Sequence, residues 1–108
     1  MAAGPILDGQ KWHSDRNNMI IEEFDDTYLV YFKPSGETHF LNFLSHGLIE
    51  CVLDQAFDAN TLQTMLCSKF DFEASELPLD LVLKTIEDLD EAGLVTPEPI
   101  VGKDQTHE

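Results

Sequence analysis

From residue 19 onward the apolar positions sit in short blocks that read as strands, and from residue 44 they recur every three or four residues. Met19 to Phe24 (MIIEEF) predicts a first strand, ended by the turn-favouring pair Asp25-Asp26. Tyr28 to Lys33 (YLVYFK) is dense in aromatic and β-branched residues and apolar on both faces. That pattern predicts a central strand covered on each side. Pro34-Ser35-Gly36 joins a preset φ to a permissive glycine, a hairpin signal. Glu37 to Asn42 (ETHFLN) returns as a third strand, with Thr38 and Phe40 on one face and His39 and Leu41 on the other.

The period then lengthens. Leu44, Leu48, Ile49, Val52, Leu53 and Ala56 follow helical spacing, with Asn42 or Ser45 available as the cap. Asp58 to Asn60 breaks that helix. Thr61 then caps a short second helix whose inward face is Leu62, Met65, Leu66 and Phe70. Asp71 to Leu77 is a connection, and Pro78 suits the first turn of a third helix. The buried stripe of that helix is Leu79, Val82, Leu83, Ile86 and Leu89, and Gly93 stands where a C-terminal glycine cap is expected. Leu94-Val95 is a short extended piece, after which Pro97 and Pro99 stop further structure. The class is therefore α+β: three antiparallel strands, then a tri-helical core of helix-turn-helix type. Residues 1–18 read as a loosely ordered arm, 19–95 as the folded domain and 96–108 as a flexible acidic tail. Trp12 is the exception in the arm, and either packs back on the body or marks a contact.

Length and charge narrow the functions. The 108 residues fit one domain, and six Lys and Arg against 21 Asp and Glu give a net charge of −15 at pH 7. Lys11, Arg16, Lys33, Lys69, Lys84 and Lys103 are scattered along the chain, so neither a nucleic acid nor an anionic membrane surface is an expected partner. Two cysteines are far from a disulfide-dense pattern, no basic-then-apolar signal opens the chain, and no apolar run is long enough to cross a bilayer. A reduced, cytoplasmic protein is the expectation.

Candidate chemistry is thin. His39 and His46 with Glu50 or Cys51 lack any CxxC, HxxxH or HExxH spacing, so no metal site is expected. His39 reads as a strand residue on a half-buried face, and His46 as a first-turn helix residue. Cys51 and Cys67 fall beside the apolar stripes of two helices and read as small buried hydrophobes. The carboxylates of Glu22-Glu23, Asp25-Asp26 and Glu87 to Glu91 pair with no neighbouring His or nucleophile and read as solvated faces. No catalytic residue, metal or cofactor is expected.

Tyr31 to Asn42 (YFKPSGETHFLN), leading into Leu44-Ser45-His46-Gly47-Leu48-Ile49, resembles the PqqD-like peptide chaperones, with their "SG-x-TH-x-L" hairpin before an apolar helix. Leu83 to Val95, closing on Leu89-Asp90-Glu91-Ala92-Gly93-Leu94-Val95, is similar to that family's last helix and its "L-x-x-x-GL" ending. Trp12 is similar to a tryptophan before the first strand in a branch found beside HPr-kinase-related proteins. The resemblance covers roughly residues 12–95. It implies a winged helix-turn-helix, in which an N-terminal three-stranded antiparallel sheet is followed by a three-helix bundle. It further implies a recognition element without catalytic residues or cofactor, which holds a precursor (leader) peptide and presents it to a modifying enzyme, a radical SAM or HPr-kinase-like protein. In that family the peptide adds as a strand to the sheet edge beside the last helix. Here the edge is Glu37, Thr38, His39, Phe40, Leu41 and Asn42, and the helix is Leu79 to Ala92.

An edge strand offers unpaired N–H and C=O groups to an extended peptide, whatever the family. The neighbouring helix then has to show apolar residues off its core stripe. Leu81 does so, Thr85 shares its side one turn on, and Asp88 on the same surface suits a partly basic peptide. Leu81 equally suits packing against the N-terminal arm. The same edge can pair with a second copy, which leaves a homodimer open. Two other functions fit the fold: a docking scaffold for a larger enzyme without peptide cargo, and a DNA-binding winged-helix regulator. Against the second, Thr61 to Phe70 carries only Lys69 and no Arg for base readout.

Overall fold

The computed structural model describes residues 9–25, 27–53 and 55–98. It is α+β, with two three-stranded antiparallel sheets and three helices. Met19–Phe24 (β2), Thr27–Phe32 (β3) and Glu37–Leu41 (β4) form one sheet, in the order β2-β3-β4. The β2–β3 hairpin pairs Met19 with Phe32 and Phe24 with Thr27, and Asp25 holds it at φ 57°. The β3–β4 hairpin pairs Phe32 with Glu37 and Tyr28 with Leu41, and Gly36 takes the left-handed φ of 75° that its turn requires.

Three helices follow. Asn42 caps Phe43–Val52 (α1), its side-chain oxygen accepting from the Ser45 amide at 2.8 Å. Helix α1 stops at Val52, short of the stripe expected to reach Ala56. Ala59–Phe70 (α2) is longer than its pattern predicts, because Asp58 rather than Thr61 is its cap and accepts from the Thr61 amide at 2.9 Å. Pro78 stands at the cap of Leu79–Glu91 (α3), and Gly93 closes that helix at φ 83°. No helix among the described residues is long and apolar enough to cross a membrane.

A second sheet was not foreseen. Lys11–His13 (β1) lies between Phe57–Asp58 (β5) and Thr96–Pro97 (β6), antiparallel to both. The segment read as a loose arm is thus, from residue 11, a strand and then a 3-10 turn at Arg16–Asn18. Its anchor is Trp12, 5% exposed, so the indole of that residue is core. Thr96 and Pro97, read as the start of the tail, supply β6, and proline is tolerated there because β6 is an edge strand. The remainder of the expected arm, residues 1–8, and of the expected tail, 99–108, lies outside the described residues.

The core is continuous from Trp12 and Met19 through Val30 and Leu41 to Leu48, Ile49, Leu62, Leu66, Val82 and Ile86. It lies on one side of the β2-β3-β4 sheet only. Met19, Val30 and Leu41 point inward and are buried, whereas Ile20, Phe24, Tyr31 and Phe40 point outward and are exposed. The expectation that the second of these strands in chain order, β3, is covered on both faces is therefore corrected. Strand β3 is central within its sheet, but all three helices belong to the inner side.

Two stability outcomes follow. Trp12→Ala removes a buried indole and is expected to cost about 3–5 kcal/mol in urea unfolding; a loose arm would give almost no change. Asp58→Ala is expected to cost about 1 kcal/mol at pH 7. Hydrogen bonds from Thr61, the side chain first and then the amide, hold the Asp58 carboxyl below its usual range. A lowered folded pKa stabilises above the unfolded pKa and is lost as pH falls through the folded one. The gap between the two proteins should accordingly narrow in unfolding curves taken at successively lower pH below about 4.

Candidate functional site

Strand β4 is an edge of its sheet: β3 pairs with one side, and no described residue pairs with the other. Glu37, Thr38 and Phe40 are exposed along it, His39 is half-buried and Leu41 is buried. Phe40 is 70% exposed, the most open large apolar side chain among the described residues. Asn42 is spent on capping α1 and has its side-chain oxygen committed to Ser45. His39 Nε2 lies 3.4 Å from the Glu37 carboxylate, an ion pair once the ring is protonated but without hydrogen-bond geometry.

On α3 the three expected residues divide. Leu81 is 42% exposed, as its place off the stripe predicts. Thr85 is buried at 7% and donates its hydroxyl to the Leu81 carbonyl at 2.8 Å, satisfying itself within the helix. Asp88 is exposed and accepts from Lys84 Nζ at 3.0 Å, one helical turn away. The edge and this helix are not closely joined, since α3 packs mainly on α1 and α2. Its tie to the sheet is at its end, where a Cβ on Gly93 would stand 3.4 Å from the Phe32 ring.

His46 stacks on Tyr28 at 3.7 Å between centroids and lies 3.6 Å from Glu50. Cys51 and Cys67 are free and half-buried, and burial is the main cause that raises the Cys51 thiol pKa, with Lys69 lowering it and Glu50 raising it. Burial also raises the Asp90 carboxyl, helped by Glu91. No group of three or more His, Cys, Asp or Glu among the described residues is placed to hold a metal. A cleft of about 290 Å³ is lined by His13, Ser14, Asp15, Leu53, Gln55, Ala56 and Glu98. Within it His13 pairs with Glu98, while the Ser14 hydroxyl donates out of the lining to the Leu94 carbonyl at 2.7 Å. On α2, Lys69 reaches Glu50 at 3.2 Å.

The feature missed in the sequence is the outward face of the β2-β3-β4 sheet. Cross-strand pairing sets Ile20 beside Tyr31 and Thr38, and Glu22 beside Leu29 and Phe40, with Phe24 and Thr27 beyond them. The signal was present in the apolar second face of YLVYFK, but it was assigned to a cover from within the chain.

Phe40→Ser and Leu81→Ser are each expected to shift the unfolding free energy by less than about 0.5 kcal/mol. Ile86→Ala, at a fully buried position, should cost about 2–5 kcal/mol in the same denaturation series. A large loss at Phe40 or Leu81 would mean that either side chain is structural. Compared with protein families, with characterised proteins and with solved structures, this chain gives no match.

Proposed function

We propose that this chain is a peptide-recognition element of the PqqD-like, winged-helix kind. It holds an extended leader peptide as an added strand on β4 and presents it to a modifying enzyme. The observation that supports this reading is the unpaired outer side of β4, with Thr38 and Phe40 exposed along it. A chain that adds there gains main-chain hydrogen bonds from β4 and sets alternate side chains on the two faces of the sheet. One of those faces already carries Phe40, so a peptide residue set opposite it lies against an apolar neighbour. The SGETHFLN hairpin supports the same reading by resemblance.

Leu81 and Asp88, exposed on α3, meet the peptide only where it runs on past the β4 edge, whereas Thr85 is buried and bonded to the Leu81 carbonyl. With a net charge of −15, the protein attracts basic peptides and steers them at long range. On this reading the chain has no catalytic residue and no cofactor of its own, and the chemistry belongs to the enzyme it serves.

Selection from a displayed library of random peptides, followed by titration of the enriched peptide into labelled full-length protein, tests this. Amide shifts are expected to concentrate in residues 37–42 and 79–88. N-methylation of alternate peptide amides should weaken binding about tenfold or more, and methylation of the intervening amides should leave it nearly unchanged. Equal sensitivity at every position, or shifts confined to residues outside these segments, would overturn the edge assignment.

A further inference from the structure

The outward face of the β2-β3-β4 sheet is apolar across all three strands: Ile20 and Phe24 from β2, Leu29 and Tyr31 from β3, and Phe40 from β4. Tyr31, Ile20, Phe24 and Phe40 are respectively 40%, 49%, 62% and 70% exposed. Single exposed apolar residues are ordinary on a protein surface, but a contiguous set marks a contact. Within the three strands Thr27 and Thr38 are neutral and Glu22 is the one charged residue on this face, while exposed Lys33, its amide bonded to the Asn18 carbonyl, stands at the rim just past β3. None of the three strands contains a lysine or an arginine.

We infer that this face is a docking surface for a single amphipathic helix of a partner protein, apolar on one side and carrying lysine or arginine to meet Glu22. The dimensions fit one helix. Three strands span about 10 Å between the outer strand axes, and a helix with its side chains is about 10–12 Å across. Strands of this length run for about 17–20 Å, the length of a helix of about 12 residues. Sheets of mixed folds are covered in just this way, helix against sheet.

Charge favours a basic partner over a second copy. A second copy brings the same excess of 21 Asp and Glu over six Lys and Arg to the contact, whereas a basic helix offsets it. The chain's own helix α3 is no better, since Asp80, Glu87, Asp88 and Glu91 line its solvent-exposed side. At −15 per chain, long-range repulsion adds to the local mismatch. The surface adjoins the β4 edge at Phe40 but uses different groups. A peptide added to that edge uses main-chain groups in the plane of the sheet, and a helix on the face uses side chains above it.

Two synthetic peptides of about 14 residues with identical helical leucine spacing test this, one with lysine and one with glutamate at the polar positions. A third has the leucine and lysine composition in scrambled order. Each is titrated into labelled full-length protein. The ordered lysine peptide is expected to shift the amides of Ile20, Glu22, Leu29, Tyr31 and Phe40, and to lose affinity about tenfold or more on Phe40→Ser and on Glu22→Lys. The glutamate peptide should give no shifts, and the scrambled one should bind about tenfold more weakly or worse. Shifts spread over α3 or the general acidic surface, or equal binding of the scrambled peptide, would overturn the proposal. So would a dimer in sedimentation velocity that Phe40→Ser converts to monomer, since a second copy would then cover the face. Spectra of the two variants away from the sheet report whether they fold; a collapsed Phe40→Ser spectrum would show a structural residue and also overturn it. With the edge saturated by the extended peptide selected above, the helix should still shift Ile20 and Glu22 on β2, across the sheet from β4, and loss of those shifts would overturn the proposal. Failure of either titration thus leaves the other standing.

Discussion

Helix α1 is packed on both sides, and the close approach at Gly47 is what allows it. The β3 and β4 strands lie against one flank of α1, and α2 and α3 against the other, so Leu48, Ile49 and Val52 are wholly buried. A Cβ at Gly47 would stand 2.7 Å from the Phe70 ring, far inside van der Waals contact. That ring is itself braced, edge-on to Phe43 at 5.1 Å and beside Phe72. Without side-chain bulk at residue 47, α2 reaches α1 closely, and α3 then closes the other part of the layer. The sheet receives its inner cover from α1, and no helix among the described residues covers its outer face.

Legibility followed the length of each pattern. Strands β2, β3 and β4 were readable within about a residue at each end, because six- and five-residue segments with clear turns leave few alternatives. The third helix was readable through its Val82, Ile86 and Leu89 stripe and through the glycine that ends it. The second sheet was not, because β1, β5 and β6 have three, two and two residues and are held by partners far away in sequence. Only Trp12 hinted at it. The start of α2 was misplaced for a local reason: an Asp-Ala-Asn segment reads as a breaker, yet its aspartate is the cap.

The candidate site was half legible. Alternation along ETHFLN correctly separated exposed Thr38 and Phe40 from buried Leu41. On α3, Leu81 stands out as the spacing predicts, but Thr85 does not, because a threonine hydroxyl can turn back to the carbonyl four residues earlier and be buried. The outer sheet face was hidden for a different reason. A strand apolar on both sides has the same sequence whether its second cover comes from its own chain or from another protein.

Ser14 donates to Leu94 across 80 residues, and Gln10 reaches the Glu98 carbonyl across 88. Strand β1, early in the chain, therefore pairs with β6 only once residues 94–98 have been synthesised and released from the ribosomal tunnel. Until then the Trp12 indole has no finished core to enter, even though the hairpins and α1 are already available to form. Closure of so large a loop has an entropic cost that grows only slowly with length, but it places this clasp late in assembly. A nascent chain would thus expose β1 and the outer sheet face together until β6, the last of the described strands, seals the first of them.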